Sequence, residues 1–391
     1  MKILMISEVL THPTQMGNQQ RIYRECVQMR QHGWQIDFLY YGNTTGNPVN
    51  MTREFFGEAH FFQCFKGNYS AKAQTKKQIR DYLDKKGISR YVALRYSADE
   101  WYAVEIENAL RDILKKHAYD VVWLQYFMQS KLLESLQGIS LLKVIDTHDK
   151  WANRNRIFQK VGKVPEYFYT TKSGERKALR RADIIIAIQD REEKYFTKLL
   201  RGTNTEVLTI GDLVEERKSE TGQEYVYGMI GAENRPNIIG VEWFSKNVLP
   251  IVLDQIPQSK FILAGGICDC IPDSPGIYKM GRVDSLEDFY NTVKVAINPI
   301  QNGTGLNIKT IEALAFGKPL VTTMVGSKGI DSQTDVLVRG DSPKDFADAI
   351  TRLLNDDIVC GQFTDNSHEY IRNYNENNCQ ALYSIEKYAK R

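Results

Sequence analysis

Short apolar segments alternate with helix-length amphipathic segments along the chain, and this alternation limits its possible folds more than any other feature. The pattern is typical of α/β proteins with parallel sheets, in which helices cover the strands. It is interrupted at Asp212–Gln223, which has no apolar periodicity, and then restarts. Because 391 residues exceed one typical core, we predict two Rossmann-like domains joined by a linker at that segment.

The two kinds of segment define a set of predicted elements. Strands are expected at Ile3–Ile6, Ile36–Tyr40, Val121–Leu124, Leu142–Ile145, Ile184–Ile188, Val207–Ile210, Tyr225–Ile230, Lys260–Ala264, Val293–Asn298 and Leu320–Thr323. Helices are expected at Asn18–Gln31, Ala73–Lys85, Asp99–Lys116, Gly174–Arg181, Arg191–Leu200, Asn237–Ile256, Leu286–Thr292, Lys344–Leu354 and Glu369–Tyr388. Ligands of open parallel sheets bind at the carboxyl ends of the strands, so we expect functional residues directly after strands.

The composition is that of an ordinary globular protein, with 42% hydrophobic and 25% charged residues. A net charge of +3 is too small to indicate nucleic-acid binding. The six cysteines are scattered without zinc-site spacing, which favours free thiols in a reducing cytoplasm. No signal peptide or membrane-spanning stretch is evident, so we expect a cytoplasmic protein, at most peripheral at the inner face of the membrane.

The segment Asn298–Thr323 carries the strongest functional signal. It combines an apolar strand, a glycine-rich turn, a helix and a second apolar strand. Glycines at a strand-to-helix turn allow close approach of a ligand, and the amides at the helix start favour an anion. Lys309 and Glu312 lie three residues apart on one helix face, where a cation and a carboxylate suit a nucleoside diphosphate-sugar. The alternative is a plain strand–helix–strand unit with an ordinary surface ion pair.

Several motifs occur in a familiar order. They are the KILMIS strand followed by a Gly-Asn loop, DTHDKWANR at Asp146–Arg154, E-x-x-x-L-x-x-A-D-I-I-I-A-I-Q at Glu175–Gln189, IGAENRPNIIGVEWFSKNVLP at Ile230–Pro250, and the glycine-rich segment from Asn298. Through these motifs nearly the whole chain resembles glycosyltransferases of the GT-B fold, particularly the retaining enzymes of family 4 that act on bacterial glycans. Many family 4 enzymes have two glutamates separated by seven intervening residues in the donor segment. Glu312 matches the second, but Thr304 stands at the first.

The resemblance implies a domain layout and a donor site. It implies an N-terminal acceptor domain over residues 1–212 and a C-terminal donor domain over residues 213–373 that face an inter-domain cleft. A terminal helix over about 374–391 would pack back on the first domain. The residues expected to bind the donor are Gly231, Asn234, Arg282, Val283, Gly303, Thr304, Gly305, Leu306, Asn307, Lys309 and Glu312.

The expected donor residues have different roles. Glu312 would bind the ribose hydroxyls, and Lys309 would stabilise the departing diphosphate. The loop at Gly231 would bring amides to the phosphates or would simply be a well-capped helix start with Asn234 as the cap. Arg282 would lie near the base or would be a surface charge. Because no D-x-D sequence occurs, we expect no metal. Because the loop after the first strand lacks G-x-G-x-x-G, we expect no nicotinamide cofactor, and so no cofactor beyond the donor substrate.

In the first domain, His148 and Asp149 follow a predicted strand that ends at Asp146. A lone histidine is often structural, but the resemblance places one here against the donor sugar, so His148 is a catalytic candidate together with Asp149 and Lys309. Asp149 would orient His148 or bind an acceptor hydroxyl, whereas Asp146 is expected to be structural. The resemblance implies that the loop after the first strand contributes acceptor or sugar contacts from Gly17, Asn18, Gln19 and Arg21; the alternative is a surface loop that leads into a capped helix.

The segment Lys66–Arg95 is rich in lysine and arginine with interleaved tyrosines. It would dock on anionic lipid near a lipid-linked acceptor or would be an ordinary solvated helix face.

We therefore expect a glycosyltransferase that moves a sugar from a nucleoside diphosphate donor to a glycan or lipid-linked acceptor in bacterial polysaccharide or glycoconjugate synthesis. Retention of configuration is implied by the family resemblance. The alternatives are a nucleotide-sugar 2-epimerase of the same fold and a catalytically silent partner subunit, which Thr304 favours. The sequence identifies neither the sugar, the base, the acceptor nor the oligomeric state.

Overall fold

A computed structural model of the protein describes residues 1–67, 71–86, 96–156, 168–302, 307–330 and 335–390, with 71–74 and 84 described by their backbone alone. The chain divides into two compact units. The N-terminal unit comprises Met1–Gly211 together with Cys379–Arg391, and the C-terminal unit comprises Asp212–Asn378. Each unit is built on one parallel sheet with helices, so the predicted α/β architecture with two domains is confirmed.

The sheet of the N-terminal unit has its first strand in the interior, next to the central strand β4. Its strands are β1 (Lys2–Ser7), β2 (Gln35–Tyr40), β3 (Phe61–Gln63), β4 (Val121–Gln125), β5 (Leu142–Asp146), β6 (Ile184–Ala187) and β7 (Glu206–Thr209). The spatial order is β3-β2-β1-β4-β5-β6-β7, with parallel neighbours throughout. The order reverses between β1 and β4, so the carboxyl ends of these two strands border a topological switch point.

Helices cover this sheet. They are α1 (Gly17–Gln31), α2 (Asn47–Phe56), α3 (Ala71–Lys85), α4 (Val104–Lys116), α5 (Lys172–Leu179) and α6 (Asp190–Leu199). The central strands are shielded on both faces, and every residue of β4 is buried. This is why these strands appear in the sequence as continuous apolar runs rather than as alternating patterns.

The sheet of the C-terminal unit repeats this plan. Its strands are β8 (Val226–Ile230), β9 (Lys260–Ala264), β10 (Ile277–Gly281), β11 (Val295–Asn298), β12 (Leu320–Thr322) and β13 (Leu337–Arg339). The order is β10-β9-β8-β11-β12-β13, again parallel. The switch point therefore lies between β8 and β11. The helices described from residue 212 onward are α7 (Arg235–Asn247), α8 (Leu249–Gln255), α9 (Leu286–Thr292), α10 (Ile308–Ala315), α11 (Pro343–Asn355), α12 (Asp357–Tyr383) and α13 (Glu386–Ala389).

The single helix predicted over Asn237–Ile256 is wrong, because the structure has two helices that meet at Val248. Pro250 causes the break. A proline has no N–H to donate to the carbonyl four residues earlier, and its ring clashes with that carbonyl inside a helix. Pro250 lies instead in the first turn of α8, where no intrahelical donor is required.

The terminal helix predicted over Glu369–Tyr388 is also wrong in its bounds. Helix α12 begins at Asp357, and the side chain of Asp356 accepts the amide of Val359 at 3.0 Å at its start. Ser367 and Ile371 are fully buried on this helix. Packing therefore supports a polar stretch that has little apolar periodicity of its own.

The segment Asp212–Gln223 has no regular secondary structure but is bound to the C-terminal unit. The amide of Arg217 donates to the carbonyl of Ala315 at 2.8 Å, and the amide of Gln223 donates to that of Thr292 at 3.0 Å. The absence of periodicity in its sequence thus corresponds to an extended segment held by backbone hydrogen bonds.

Candidate active site

In the C-terminal unit, two of the predicted donor segments lie at the switch point. Gly231 follows β8, and the segment that leads to Lys309 follows β11, the strand next to β8. At the start of α7, Asn234 accepts the amide of Asn237 at 3.0 Å and so acts as the helix cap. The side-chain amide of Asn237 donates to the carbonyl of Ala232 at 2.8 Å. This second bond fixes the Asn237 side chain with its carbonyl oxygen available to another donor.

Lys309 is that donor. Its Nζ lies 2.8 Å from Oδ1 of Asn237, so the two predicted donor motifs meet through one hydrogen bond. Burial lowers the pKa of Lys309 to about 8, while the nearby Glu312 carboxylate acts in the opposite direction. Glu312 is only 7% exposed. The two residues are therefore not an ordinary surface ion pair.

A close approach of two loops shapes the same end of the sheet. Gly265, after β9, has φ of +86°, and a Cβ there would lie 2.4 Å from the carbonyl oxygen of Gly231. That oxygen also accepts the amide of Ile267 at 3.1 Å. Glycine is required at position 265 both by the backbone conformation and by the lack of space.

The other predicted donor residues lie nearby in the fold or outside the described residues. The side chain of Arg282 is 73% exposed, with Nη2 3.9 Å from Asp269. Val283 packs against the apolar core. Asn307 is the residue before α10, and its side chain donates to the carbonyl of Val325 at 3.0 Å. The remaining donor residues predicted from the glycine-rich turn lie outside the described residues; they are Gly303, Thr304, Gly305 and Leu306.

In the N-terminal unit, Arg21 is the centre of a buried charged network. Its Nε donates to Asp146 at 2.8 Å, and its Nη2 lies 3.1 Å from Glu25, one turn further along α1. The two terminal nitrogens also donate to the carbonyls of Gly211 and Ile210 at 2.9 and 3.0 Å. Arg21 is 4% exposed. The guanidinium therefore joins α1, the end of β5 and the residues that follow β7.

The network contains two carboxyl groups that face one cation. Burial and the neighbouring Asp146 raise the pKa of Glu25 well above its usual range. Burial would also raise the pKa of Asp146, but the positive Arg21 lowers it to about 2. The network thus favours the charged form of Asp146 beside the Arg21 guanidinium and opposes the ionisation of Glu25.

His148 lies beside this network. Its Nε2 is 2.5 Å from Oε1 of Gln125 and 3.8 Å from the carboxylate of Asp146. Its ring stacks on Tyr126, with centroids 4.0 Å apart and planes 17° from parallel. Both His148 and Tyr126 have positive φ, at 56° and 64°. Non-glycine residues in this region are strained, and such residues cluster at functional sites.

The imidazole of His148 is uncharged at neutral pH. Burial lowers its pKa to about 4, even though Asp146 acts to raise it. An uncharged imidazole has one donor nitrogen and one acceptor nitrogen. His148 is thus suited to hydrogen bonding with a hydroxyl group and not to acting as a cation.

Asp149 has partners other than the histidine beside it. Its carboxylate lies 3.0 Å from Arg154 and accepts the amide of Lys150 at 2.8 Å. Burial and the proximity of Asp149 raise the pKa of Glu192 on α6 to about 8. The contacts that orient the His148 ring come from Gln125, Tyr126 and Asp146, whereas Asp149 belongs to a second buried acidic pair.

The loop predicted to contact the acceptor or sugar leads into α1, which begins at Gly17. The side chain of Asn18 donates to the hydroxyl of Tyr126 at 3.2 Å, next to the His148 ring. Gln19 accepts the amide of Met16 at 3.0 Å and closes the start of the helix. Asn18 and Arg21 therefore share a site with His148, while the side chain of Gln19 has a local structural contact.

Sequence reasoning missed the residues that support His148. Glu175 is fully buried and accepts the amides of Trp151 and Ala152 at 2.7 and 3.0 Å, which fixes the loop after His148. Gln125 carries a recognisable signal, because it is a polar residue at the carboxyl end of a buried strand beside the switch point. Glu25 lies four residues after Arg21, which is the spacing of neighbours on one helix face.

Part of the basic segment is paired with a carboxylate. Lys76 and Arg80 on α3 both contact Glu100, at 2.8 and 2.6 Å, and Lys66 contacts Glu8 at 2.8 Å. The remainder of this prediction falls partly on residues outside the described ranges. Within the described part of the chain, no helix has the length and apolarity to cross a membrane. Among the same residues, no three His, Cys, Asp or Glu side chains cluster as a metal site would require.

The fold is shared with solved structures over almost the whole chain. Sucrose-phosphate synthase of Thermosynechococcus elongatus superposes with a TM-score of 0.66 at 14% identity, covering 99% of this chain and 98% of that chain. A pneumococcal O-GlcNAc transferase in complex with UDP and GlcNAc superposes with a TM-score of 0.68 at 12% identity, covering 100% of this chain and 98% of that chain. TarM of S. aureus, in a structure that contains UDP, superposes with a TM-score of 0.65 at 13% identity, covering 97% of this chain and 99% of that chain.

This chain has the GT-B fold. Residues 224–356, all in the C-terminal unit, also match the family described as Glycosyl transferases group 1. The predicted resemblance to GT-B glycosyltransferases is confirmed at this level, and the assignment to family 4 stays a prediction.

A curated relative of this GT-B chain comes from Klebsiella pneumoniae, where it is described as an uncharacterized 44.6 kDa protein in the cps region. The two are 28% identical over 105 residues, which represent 24% of this chain and 27% of the relative. The match therefore spans about a quarter of the length of that relative.

Proposed function

We propose that this protein is a glycosyltransferase that transfers a sugar from a nucleoside diphosphate-sugar to a glycan or lipid-linked acceptor in bacterial polysaccharide or glycoconjugate synthesis. The observation that carries the proposal is the arrangement of Asn237, Lys309 and Glu312 at the switch point of a unit that matches the group 1 glycosyl transferases. The cps-region relative supports polysaccharide synthesis as the setting.

Lys309 and Glu312 take separate roles in this proposal. The ammonium of Lys309 binds the diphosphate and stabilises the negative charge that grows on it as the sugar departs. The carboxylate of Glu312 accepts hydrogen bonds from the ribose hydroxyls, for which an acceptor-only group is well suited. The two residues are three positions apart on α10, so one rigid element places both groups.

We propose that transfer retains configuration and proceeds without a metal ion, since Lys309 supplies the positive charge that a metal would otherwise provide. In the N-terminal unit, the neutral His148 and the neighbouring Asn18 offer hydrogen bonds to sugar hydroxyls. UDP is the first nucleotide to test, because two of the solved structures with the same fold contain UDP.

The first experiment is a thermal-shift panel with UDP, GDP, ADP, CMP and NAD at equal concentration. A nucleotide at about 100 times its Kd should stabilise the protein by roughly 2.7 kcal/mol. We expect one nucleoside diphosphate to raise Tm in the wild type and to have no effect in Glu312→Ala. Glu242→Ala, which removes an exposed glutamate on α7, is the matched control and should respond as the wild type does.

Product analysis then separates the possible reactions. Release of the nucleoside diphosphate that depends on an added glycan acceptor supports transfer. Conversion of the donor sugar to its epimer without any acceptor would instead support the epimerase. Absence of any response to all five nucleotides would contradict the donor site and leave a partner subunit as the function to pursue.

A further inference from the structure

His148 is held by a chain of hydrogen bonds that reaches into the buried network. Nε2 of His148 lies 2.5 Å from Oε1 of Gln125, and Nε2 of Gln125 lies 3.0 Å from Oε2 of Glu25. All three side chains are shielded from solvent, since Gln125 is fully buried, Glu25 is 1% exposed and the side chain of His148 is 6% exposed. Burial of this kind leaves each polar group dependent on its protein partner.

The orientation of the Gln125 amide determines which imidazole nitrogen carries the proton. An amide oxygen can only accept a hydrogen bond, so Nε2 of His148 must be the protonated nitrogen. The opposite end of the amide supports this orientation. Nε2 of Gln125 also lies 3.1 Å from the sulfur of Met5, a weak acceptor that an amide oxygen could not contact favourably.

We infer that Gln125 and Glu25 are a positioning pair, which keeps His148 in the tautomer protonated at Nε2 and presents Nδ1 as a hydrogen-bond acceptor to a hydroxyl group of the sugar substrate. The substrate part of this inference rests on the proposed function. Among the described residues, no hydrogen bond involves Nδ1 of His148, so its lone pair is not used by the protein. Because Nδ1 would accept a hydrogen bond, the site favours a substrate hydroxyl, which can donate one, over a group that can only accept one.

The charged groups around the ring maintain this state. Asp146 on β5 and Arg21 on α1 form an ion pair at 2.8 Å, and burial beside Asp146 raises the pKa of Glu25 on the same helix. Tyr126, after β4, covers one face of the imidazole. The low pKa of His148 follows from burial beside a charge-balanced pair, so the neutral tautomer persists throughout the physiological pH range.

The direct test is nitrogen NMR of the protein labelled on its six histidines, with the His148 signals assigned from their loss in His148→Asn. Correlations between ring nitrogens and ring protons identify the protonated nitrogen. We expect Nε2–H in the wild type and in Glu25→Gln, whose amide still accepts from Gln125. In Gln125→Leu we expect a mixture of tautomers, and in Gln125→Glu a raised His148 pKa. Gln137→Leu, at an exposed position, should match the wild type.

Two NMR results would overturn the positioning pair. One is Nδ1–H in the wild type, which would mean that the Gln125 amide is reversed. The other is an unchanged Nε2–H signal in a folded Gln125→Leu. Should Gln125→Leu fail to fold, the His148 titration in Gln125→Glu decides the question, and an unchanged pKa there counts against the pair.

Kinetics test the contact with the substrate separately. We expect kcat/KM to fall by about tenfold or more in Gln125→Leu and to recover in Glu25→Gln relative to Glu25→Leu. An altered tautomer with unchanged kcat/KM would contradict the hydroxyl contact while the positioning pair stands. If the wild type transfers no sugar, the proposed function fails, and the NMR result still decides the tautomer.

Discussion

The ammonium group of Lys309 donates a hydrogen bond of 2.8 Å to the side-chain carbonyl of Asn237. These residues are 72 positions apart in the sequence and begin the helices that follow two adjacent strands, β8 and β11. Asn237 holds the lysine in place without neutralising it, because an amide carries no charge. A positive charge is thereby kept at the end of the sheet where the fold binds ligands.

This arrangement predicts how nucleotide binding depends on pH. The pKa of Lys309 is about 8 in the free protein, and a bound diphosphate favours its charged form. Affinity should therefore be constant below about pH 7.5 and weaken as pH rises through about 8. Titration calorimetry with UDP or GDP checks this. Lys309→Met should bind weakly at every pH, and Lys246→Met, at an exposed position on α7, should follow the wild type. The same pH dependence in Lys309→Met would assign the titration to another group.

Removal of Arg21 should destabilise the N-terminal unit strongly. Arg21→Met leaves the charged Asp146 buried without its cation, and breaking a buried pair in this way costs about 3–5 kcal/mol. Urea unfolding monitored by circular dichroism measures the change. Arg111→Met removes an exposed pair with Glu107 and should cost less than about 1 kcal/mol. Equal effects of the two substitutions would contradict the buried network.

Glu192 should make stability dependent on pH. Its pKa is about 8 in the folded protein and 4.5 as a free side chain, so the folded state binds more protons than the unfolded state between these values. The contribution of Glu192 to the free energy of unfolding is fully present below about pH 4.5 and is lost as pH rises to about 8. The Tm of Glu192→Gln minus the Tm of the wild type should therefore increase from about pH 5 to about pH 8. Glu193→Gln, on the same helix, should show no such trend. A constant difference across this range would mean that Glu192 is already charged.

Gly265 should tolerate alanine less well than Gly281 does. Both have positive φ, at 86° and 75°, so alanine is strained at either position by about 1–2 kcal/mol. Only at Gly265 would the new methyl group meet a backbone oxygen, that of Gly231, at 2.4 Å. We expect Gly265→Ala to be less stable than Gly281→Ala by at least about 1 kcal/mol in urea unfolding. It should also weaken nucleotide binding. Equal stability of the two variants would show that the Gly231 loop moves aside freely.

The central strands could be predicted from the sequence because burial on both faces gives apolar runs. Three of the four edge strands, β3, β10 and β13, were not predicted, whereas the edge strand β7 was. Strand β10 at Ile277–Gly281 lies at the edge of its sheet and exposes Tyr278 and Met280, and β13 at Leu337–Arg339 is only three residues long. An edge strand packs on fewer neighbours, so its sequence carries less of the apolar pattern.

The candidate site was predictable in part for a similar reason. The positions of Lys309, Glu312 and His148 after strands are local properties of the sequence. The contacts of Lys309 with Asn237 and of His148 with Gln125 are tertiary and leave no periodic signal. The same is true of Glu25, which appears in the sequence as an ordinary helical glutamate and has a raised pKa only because the fold buries it beside Asp146.

Helix α12 has a consequence for the order in which the protein folds during synthesis. Its residues up to Asn378 belong to the C-terminal unit, and those from Cys379 onward belong to the N-terminal unit. There the rings of Tyr383 and His32 stack with their centroids 3.6 Å apart, and the carboxylate of Glu386 accepts a hydrogen bond from the indole nitrogen of Trp34 at 2.7 Å. During synthesis these contacts can form only after all of residues 212–378 have been made. The unit that is translated first is therefore completed last, and until then its Trp34 lacks the contacts with Tyr383 and Glu386.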